Sequence, residues 1–499
     1  MQPQLKFRRG NPSQLLVGLT LIACLIGLGY SIATFGAVGL AVAFIPLILW
    51  MGFYALDNPA WTMIGLFVGN YLIMSLSKYL YKTPLGMLLD IMIAFSFFTL
   101  VITALHHKVA WHRAQSGLTL VAAIWALYCC LELTNPSGTL GAWSSAVRSY
   151  ALIFLLVVIL SQIVFIRYKH LQYLLIIWSI LTLCAVLKAC VQKFIGFNDA
   201  ENYWLFVLGG RSTHIIGTGV RYFSFFSDAA NYGASMGLSV VIFSITGFYT
   251  KNKFLRGWFF LVAVAACYGM LLSGTRSAMA VPFGGLALFV ILSRQTKTIL
   301  VGSIMLFAAL FFLNFTSIGQ GNALIRRARS AFNQDDPSYV VRRENQKKLR
   351  TLMVDRPFGI GLGMAGGKTL ENQSNQDLPG TQSISDVRKI PTDSWFVMVW
   401  VESGVVGLIL HIAILLYILG YGSFIIFFRL KDKQLKGLTA ALVAGIFGTV
   451  IASYANEIFG QIPTGVIMYM SMAFIFLAPS YDRELADKAE VESQKRLFL

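Results

Sequence analysis

The chain has 499 residues, of which 57% are hydrophobic and only 12% are charged. Soluble domains carry about 25% charged residues, so this composition excludes a soluble enzyme and indicates a polytopic membrane protein. The formal net charge of +18 does not require a nucleic-acid partner, and none is predicted, because the cytoplasmic loops of membrane proteins collect Lys and Arg.

Apolar runs recur along almost the whole chain, and a bilayer crossing takes about 20 such residues. Lipid offers the backbone no hydrogen-bond partners, so each run is expected to be a helix. The predicted fold class is all-α: a polytopic helical membrane protein with about 14 transmembrane helices and one large, partly helical loop on the outer face. The predicted spans are 13–33, 36–54, 59–77, 84–105, 117–133, 149–166, 171–191, 228–249, 257–273, 277–293, 298–316, 394–428, 436–454 and 462–479.

Basic residues cluster on one side of the predicted membrane. They occupy the N-terminus and alternate short loops, at 6–9, 106–113, 167–169, 251–256, 294–297 and 429–433. Because short loops rich in Lys and Arg stay in the cytoplasm, this side is predicted to be cytoplasmic, with both termini inside.

The predicted spans divide the chain into six parts. These are N-terminal transmembrane helices at 1–191, an outer-face loop at 192–227, transmembrane helices at 228–316, a large outer-face loop at 317–393, C-terminal transmembrane helices at 394–479 and a cytoplasmic tail at 480–499. The large loop is more basic than acidic, although an outer loop has no general need for Lys and Arg. We therefore expect its positive charge to have a function.

The large loop has local signals of its own. Pro337 at a first helical position predicts a helix over 338–353. The glycine-rich run 359–367 predicts a tight, irregular backbone. The polar stretch 371–386 is predicted to be mobile. The apolar run that follows, 394–428, is long for one crossing, so its first turns are predicted to lie outside the bilayer.

Four charged residues stand near the outer ends of predicted spans: Asp90, Glu132, Lys188 and Asp228. Ionisable residues inside a membrane are costly and mark functional sites. Side chains at the interface that reach out to water explain them equally well. The sequence leaves both interpretations open.

Arginines on the outer face suggest a more specific chemistry. Five of them are candidate pyrophosphate ligands: Arg221, Arg276, Arg342, Arg343 and Arg356. A guanidinium binds phosphate oxygens two at a time and never loses its charge. Arg276 lies in a hairpin so short that its side chain must be at the membrane surface. Several such groups would suit the pyrophosphate of a lipid carrier, and contacts with lipid headgroups or salt bridges within the loops are the alternative.

Motifs of soluble catalysis are missing from the sequence. It contains no phosphate-binding Gly-Lys loop, no His-Glu-x-x-His and no Cys-x-x-Cys. No metal and no other cofactor is therefore predicted. A reaction on the outer face must use a substrate that carries its own activation.

Four motifs, in order between 215 and 410, resemble those of the O-antigen ligase and O-antigen polymerase superfamily. They are Arg221 with Phe225-x-x-Asp228-x-x-Asn231-Tyr232-Gly233, the hairpin Ser273-Gly274-Thr275-Arg276-Ser277, the stretch Arg356-Pro357-Phe358-Gly359-Ile360-Gly361-Leu362-Gly363, and Pro391-Thr392-Asp393-Ser394-Trp395 followed by Trp400-Val401-Glu402-Ser403-Gly404-Val405-Val406-Gly407. Each motif alone is weak, but their order, spacing and long loop agree. The first 200 residues are similar only as generic spans.

The resemblance implies a glycosyltransferase on the periplasmic face of the bacterial inner membrane, which makes both outer-face loops periplasmic. Its donor would be a glycan on undecaprenyl pyrophosphate, and it would need no metal or nucleotide. The acceptor would be a glycan, a lipid or a protein, and membrane lipids and a chain-length regulator are further expected partners. Polymerases of the family extend another lipid-linked repeat unit, whereas ligases transfer the glycan to lipid A core.

The chain departs from the family at the expected general base. Ligases carry His-Asn where this chain has Thr392-Asp393, and the loop 317–393 contains no histidine. We expect Asp393 to act as the base, with Glu402 in reserve. The alternative is that Asp393 caps the helix that follows. This departure favours a polymerase, or another acceptor, over a lipid A ligase.

Two other classes remain as alternatives. A transporter or flippase of lipid-linked glycans is opposed by the near absence of charge in mid-span and by the one large basic loop. A peptidoglycan-type polymerase of the shape, elongation, division and sporulation family shares the lipid carrier but has fewer spans and a different order of motifs.

Overall fold

The computed structural model describes residues 58–80, 86–216, 219–321, 323–329, 337–365 and 387–497. The predicted spans 13–33 and 36–54 and the polar stretch 371–386 lie outside these residues. The total of 14 spans and the mobility of 371–386 therefore stay predictions.

The described residues form helices almost throughout. The helices are α1 (Ala60–Tyr79), α2 (Gly86–His106), α3 (Gly117–Leu131), α4 (Leu140–Val147), α5 (Ile153–Val164), α6 (Tyr168–Phe194), α7 (Asp199–Phe206), α8 (Ala229–Tyr249), α9 (Lys253–Leu272), α10 (Ala280–Ser293), α11 (Thr296–Phe315), α12 (Ala323–Arg329), α13 (Pro337–Leu352), α14 (Trp395–Phe424), α15 (Lys433–Ala452) and α16 (Thr464–Leu497). A single α-helical turn covers Arg211–His214. Short turns of 3₁₀-helix cover Trp111–Ala114, Glu132–Thr134 and Ser277–Met279, and π-helical turns cover Arg148–Leu152 and Ile425–Arg429.

Ten stretches of helix among the described residues are long and apolar enough to cross a membrane, and two shorter apolar helices accompany them. A helix lies at each predicted span from 59–77 to 462–479, so the prediction of an all-α, multi-pass membrane protein is confirmed. Strands within the described part are limited to one small hairpin. Its strands, β1 (Ile215–Ile216) and β2 (Gly219–Val220), pair antiparallel, and Ile215 lies opposite Val220.

The chain divides into two compact units. One consists of Met1–Thr62 with Phe95–Val109, of which residues 58–62 and 95–109 are described. In this unit the Thr99 hydroxyl donates a hydrogen bond of 2.9 Å to the Ser96 carbonyl within α2. The other unit consists of Met63–Ala94 with Ala110–Leu499 and contains every site residue considered below.

Helices α8, α15 and α16 are the most deeply buried spans of the larger unit. Small residues let these spans approach closely, as they do in other membrane bundles. A Cβ added at Gly448 of α15 would lie 2.1 Å from the Val281 carbonyl of α10. One added at Gly285 of α10 would lie 2.8 Å from the Ala444 carbonyl. The two backbones therefore touch, and α10 holds the hairpin before it firmly against the core.

Two helix boundaries differ from the prediction. The span predicted at 149–166 begins at Leu140, because α4 and α5 form one apolar rod joined by the π-helical turn. The polar residues of α4 had masked this helix in the hydropathy pattern. At the other end, α16 continues as helix to Leu497 and includes most of the predicted tail at 480–499.

Candidate functional site

Arg221 and Arg276 lie together in the structure. Arg221 follows β2, where its Nη1 donates to the Thr213 carbonyl at 3.0 Å and its Nη2 donates to the Thr275 hydroxyl at 2.8 Å. Burial lowers the pKa of the Arg221 guanidinium; Asp228 opposes this shift and the positive charge of Arg276 adds to it. Two cations within electrostatic reach of each other form a place suited to an anion.

The hairpin that carries Arg276 is fixed by hydrogen bonds. The Thr275 hydroxyl, which accepts from Arg221, donates to the Ala229 carbonyl at 2.9 Å. The Thr275 backbone N–H donates to the Ser273 hydroxyl at 3.1 Å. Because Thr275 bonds both to Arg221 and to the start of α8, the two arginines are held at one end of the helical bundle.

A third arginine, which the sequence did not single out, lies against this hairpin. A Cβ added at Gly274 would lie 2.9 Å from the Nε of Arg327, which is on α12. Arg276 and Arg327 both line a small cleft between α12 and the hairpin. The sequence signal for Arg327 was its place in the basic loop 317–393, which is predicted to lie on the outer face; the structure shows that it lies on a helix with three arginines.

His214 is hydrogen-bonded to the backbone of Arg221 and to the start of α8. Its Nε2 accepts a hydrogen bond of 3.1 Å from the Ala229 backbone N–H, and its Nδ1 lies 2.9 Å from the Gly210 carbonyl. Since the amide can only donate and the carbonyl can only accept, the ring must be neutral with its proton on Nδ1. Burial lowers the pKa of His214 to about 4, which keeps the ring in this form at neutral pH. The His214 carbonyl also accepts from the Arg221 backbone N–H at 2.8 Å.

The other residues of the first motif hold the fold. Asp228 caps α8, since its Oδ1 accepts from the backbone N–H groups of Ala230 and Asn231 at 2.8 Å and 3.0 Å. The buried Asn231 donates to the Ile462 carbonyl at 2.6 Å and accepts from the Thr464 hydroxyl. The motif therefore contributes its arginine to the site, whereas its asparagine joins α8 to the start of α16.

Protein partners account for the remaining charges near span ends. Asp90 pairs with Arg148 at 2.7 Å, and Lys188 pairs with Glu201 at 2.9 Å. The Glu132 carboxylate accepts a hydrogen bond of 3.0 Å from Asn135. Each of these side chains therefore has a partner within the protein, and the choice between a functional and an interfacial role stays a prediction.

The glycine-rich motif packs into a break in α14. At the break, the carbonyls of Val401 and Glu402 accept hydrogen bonds of 2.9 Å and 3.0 Å from the backbone N–H groups of Ile360 and Gly361. Gly404 has φ 70°, and a Cβ added there would lie 1.9 Å from the Pro357 carbonyl. The two motifs, well separated in sequence, therefore form one structural joint that only glycine at Gly404 permits.

The break in α14 places the Glu402 side chain in the wall of a cavity of about 250 Å³. Glu402 is 3% exposed, and its Oε1 accepts from the Ala365 backbone N–H at 3.2 Å. The cavity is lined by Ser145, Ala146, Ser149, Tyr150, Gly363, Ala365, Trp395, Met398, Glu402, Glu457, Gly460 and Gln461. Two carboxylates thus face the same enclosed space.

Glu457, in the connection between α15 and α16, is the second carboxylate, and the sequence did not single it out. It accepts a short hydrogen bond from the Thr392 hydroxyl. The neighbouring Asn456 donates to the hydroxyl of Ser277, the residue after Arg276. The arginine hairpin and the carboxylate cavity are therefore connected by direct contacts.

Asp393 does not line the cavity. It is exposed and has φ 48°. The N-cap of α14 is Ser394, whose hydroxyl accepts from the Val397 backbone N–H at 3.5 Å. The alternative that Asp393 caps this helix is therefore wrong, and its role as a base stays a prediction.

The other predicted arginines lie on the large loop. Arg342 is half-buried and Arg343 is exposed on α13, which begins at Pro337 as the sequence predicted. Arg356 is half-buried at the start of the glycine-rich motif. Another arginine, Arg388, donates to the Met364 sulfur at 3.6 Å beside the cavity, and burial lowers its pKa. The sequence did not single it out.

Among the residues that the structure describes, no group of three or more His, Cys, Asp or Glu side chains is placed to hold a metal ion.

The helices and the site define a multi-pass membrane protein with a basic cluster and an acidic cavity in contact. A family model described as O-antigen ligase matches residues 259–412. The match supports the assignment of the chain to the O-antigen ligase and polymerase superfamily, whose members are membrane glycan-transfer enzymes, as the motifs predicted. The match includes Arg276, the glycine-rich motif and Glu402, but neither Arg221 nor Glu457. No curated protein matches the chain.

Proposed function

We propose that the protein is a glycosyltransferase on the periplasmic face of the bacterial inner membrane. It transfers or polymerises a glycan from undecaprenyl pyrophosphate onto an acceptor hydroxyl, and both its termini are cytoplasmic. The observation that carries the proposal is the cluster of Arg221 and Arg276, joined through Thr275, in a chain that the O-antigen ligase family matches.

The arginines would act on the leaving group. Pyrophosphate is already a good leaving group, so the enzyme must mainly neutralise the charge that grows on it as the sugar departs. Arg221 and Arg276 are held together before substrate arrives, and an anion between them would relieve their mutual repulsion. Arg342, Arg343 and Arg356 would add positive charge from the large loop, which explains why that loop is basic.

The acceptor must be oriented and lose a proton. Asp393 and Glu402 are the bases proposed from the sequence. Glu402 faces the cavity, whereas Asp393 is exposed outside it. Glu402 also receives the Ala365 N–H and sits at the joint with the glycine-rich motif, so it serves to shape the cavity as well.

The test is glycan transfer in proteoliposomes with an undecaprenyl-pyrophosphate-linked oligosaccharide. Arg276→Ala should abolish transfer, and Arg483→Ala is the matched control, because Arg483 is an exposed arginine of α16. Longer lipid-linked products that disappear only in the Arg276 variant would support a polymerase. If no donor is consumed with any acceptor while labelled lipid-linked substrate changes leaflet, the protein is a transporter and the proposal fails.

A further inference from the structure

The cavity beside the arginine cluster is lined by acidic and neutral polar groups. Its volume of about 250 Å³ far exceeds the roughly 10–15 Å³ that one water needs, so it has room for a ligand of many atoms. Two carboxylates, Glu402 and Glu457, face it and would repel phosphate. Its ligand is therefore not the pyrophosphate of the donor.

The wall also presents unused hydrogen-bonding groups. The Gln461 Oε1 is buried and has no hydrogen-bond partner within the described part of the chain. The hydroxyls of Ser145 and Ser149 donate to backbone carbonyls at 2.9 Å and 3.1 Å, so their oxygens can still accept a hydrogen bond from a ligand. The Tyr150 hydroxyl, which is hydrogen-bonded to Glu402, also lies in the wall. Buried polar atoms are nearly always paired in folded proteins, so these atoms indicate a polar ligand.

A neutral, hydroxyl-rich molecule satisfies all of these groups. Its O–H groups donate to the two carboxylates, to the Gln461 Oε1 and to the serine oxygens, whose own protons are bonded to backbone carbonyls. A sugar ring has this combination. The π-helical turn Arg148–Leu152 brings Ser149 and Tyr150 into the wall, and such turns occur frequently at functional sites.

We infer that this cavity is the acceptor subsite, that it binds a sugar ring, and that Glu457 takes the proton of the attacking hydroxyl. This inference rests on the proposed function and makes a glycan the acceptor. In the step, the acceptor oxygen bonds to the anomeric carbon of the donor. The bond from that carbon to the pyrophosphate oxygen breaks, its electron pair stays on the pyrophosphate, and the acceptor proton moves to the Glu457 carboxylate.

Glu457 suits this role better than Glu402 because of its position. It is half-buried, whereas Glu402 is only 3% exposed and bonds to the backbone of the glycine-rich motif. Its neighbour Asn456 contacts Ser277, next to Arg276, so Glu457 stands where the cavity adjoins the proposed donor site.

The experiment uses the full chain in proteoliposomes and measures two quantities, glycan transfer and binding of a non-transferable undecaprenyl-pyrophosphate analogue. Glu457→Gln should lower transfer by about 100-fold or more, the usual contribution of a general base, and leave analogue binding within about twofold. Glu457→Asp should restore part of the rate. The exposed Glu490→Gln should behave as wild type. Recovery of part of the rate by Glu457→Asp, with analogue binding unchanged in both variants, is a pattern that a purely structural role would not produce.

A second pair of variants tests whether the acceptor binds in the cavity, because one of the two fills the cavity with a bulky side chain. Ser149→Trp fills it, whereas Ser144→Trp places the same side chain at an exposed position of α4 outside the lining. Only Ser149→Trp should raise the KM for the acceptor glycan, by about tenfold or more, with analogue binding unchanged.

The outcomes separate the two proposals. If the wild type transfers glycan, and Glu457→Gln and Ser149→Trp transfer it equally well, the acceptor subsite is refuted and the proposed function stands. If the wild type transfers to no acceptor, the proposed function fails and this inference falls with it.

Discussion

The joint between the glycine-rich motif and α14 makes a sharp prediction at Gly404. The backbone angles at this residue, φ 70° and ψ −175°, are adopted almost only by glycine, and they would cost a residue with a side chain about 1–3 kcal/mol. The added Cβ would also lie 1.9 Å from the Pro357 carbonyl, and that backbone atom cannot rotate away. Overpacking of this kind costs about 1–3 kcal/mol more, so we expect Gly404→Ala to destabilise the protein by about 3 kcal/mol or more.

The same helix offers a matched control. Gly420 is also in α14, and a Cβ added there would meet nothing within 4 Å. Alanine favours a helix over glycine by about 1 kcal/mol, so Gly420→Ala should leave stability unchanged or raise it.

The assay is thermal unfolding in detergent, followed by the fluorescence of the 10 tryptophans, together with glycan transfer by the same preparations. Gly404→Ala should unfold at a lower temperature and lose transfer, because the displaced motif carries the wall that holds Glu402. If Gly404→Ala matches Gly420→Ala in both measurements, the joint is not required and the reasoning is refuted.

Three further predictions concern single side chains. Asp393→Asn should abolish transfer if Asp393 is the base, as the sequence suggested, and full activity in this variant would exclude that role. Arg221→Lys should weaken binding of the pyrophosphate analogue about tenfold or more, since lysine cannot bond Thr213 and Thr275 and still bind phosphate bidentately; wild-type affinity would contradict the clamp. His214, whose folded pKa is depressed to about 4, should stabilise the protein fully above its unfolded pKa of about 6.5 and lose that contribution as pH falls toward 4. His214→Phe should flatten this part of the stability-versus-pH curve, and an unchanged curve would refute the assignment.

Hydropathy predicted the spans well because a bilayer imposes one requirement on every helix. Each span must be long, apolar and hydrogen-bonded within itself, and these properties are local in sequence. The start of α13 at Pro337 and the irregular backbone of the glycine-rich motif were predicted for the same reason, since proline and glycine restrict or free the chain at their own positions.

The prediction failed where polar residues line the cavity or form an ion pair beside it. Ser145, Arg148 and Ser149 lower the hydropathy of the first half of the rod formed by α4 and α5, so the predicted span began at 149 and not at Leu140. These residues are polar because they face the cavity and the ion pair with Asp90. A site inside a membrane protein therefore interrupts the very pattern by which its helices are recognised.

The sequence did not identify Glu457 and Arg327 as site residues, for a different reason. Neither belongs to a motif, and each is brought to the site by tertiary contacts, Glu457 through Thr392 and Arg327 through the hairpin at Gly274. A single sequence records which residues are charged but not which of them meet. Only the packed helices show this.

The proposed role of Glu457 gives a chain without the ligase histidine a route for the acceptor proton. The resemblance to ligases places their His-Asn at Thr392-Asp393 of this chain, and Thr392 donates a hydrogen bond to Glu457. A threonine at this position cannot take a proton from a hydroxyl, but it can orient a carboxylate that does. The base function, on this reasoning, has moved from the loop before α14 to the connection before α16, and the residue that replaced the histidine positions its substitute. Thr392→Val should then reduce transfer in the same direction as Glu457→Gln but by a smaller factor, with analogue binding retained. If Thr392→Val transferred glycan at the wild-type rate, Thr392 would not act through Glu457. The base would then be Asp393 or Glu402.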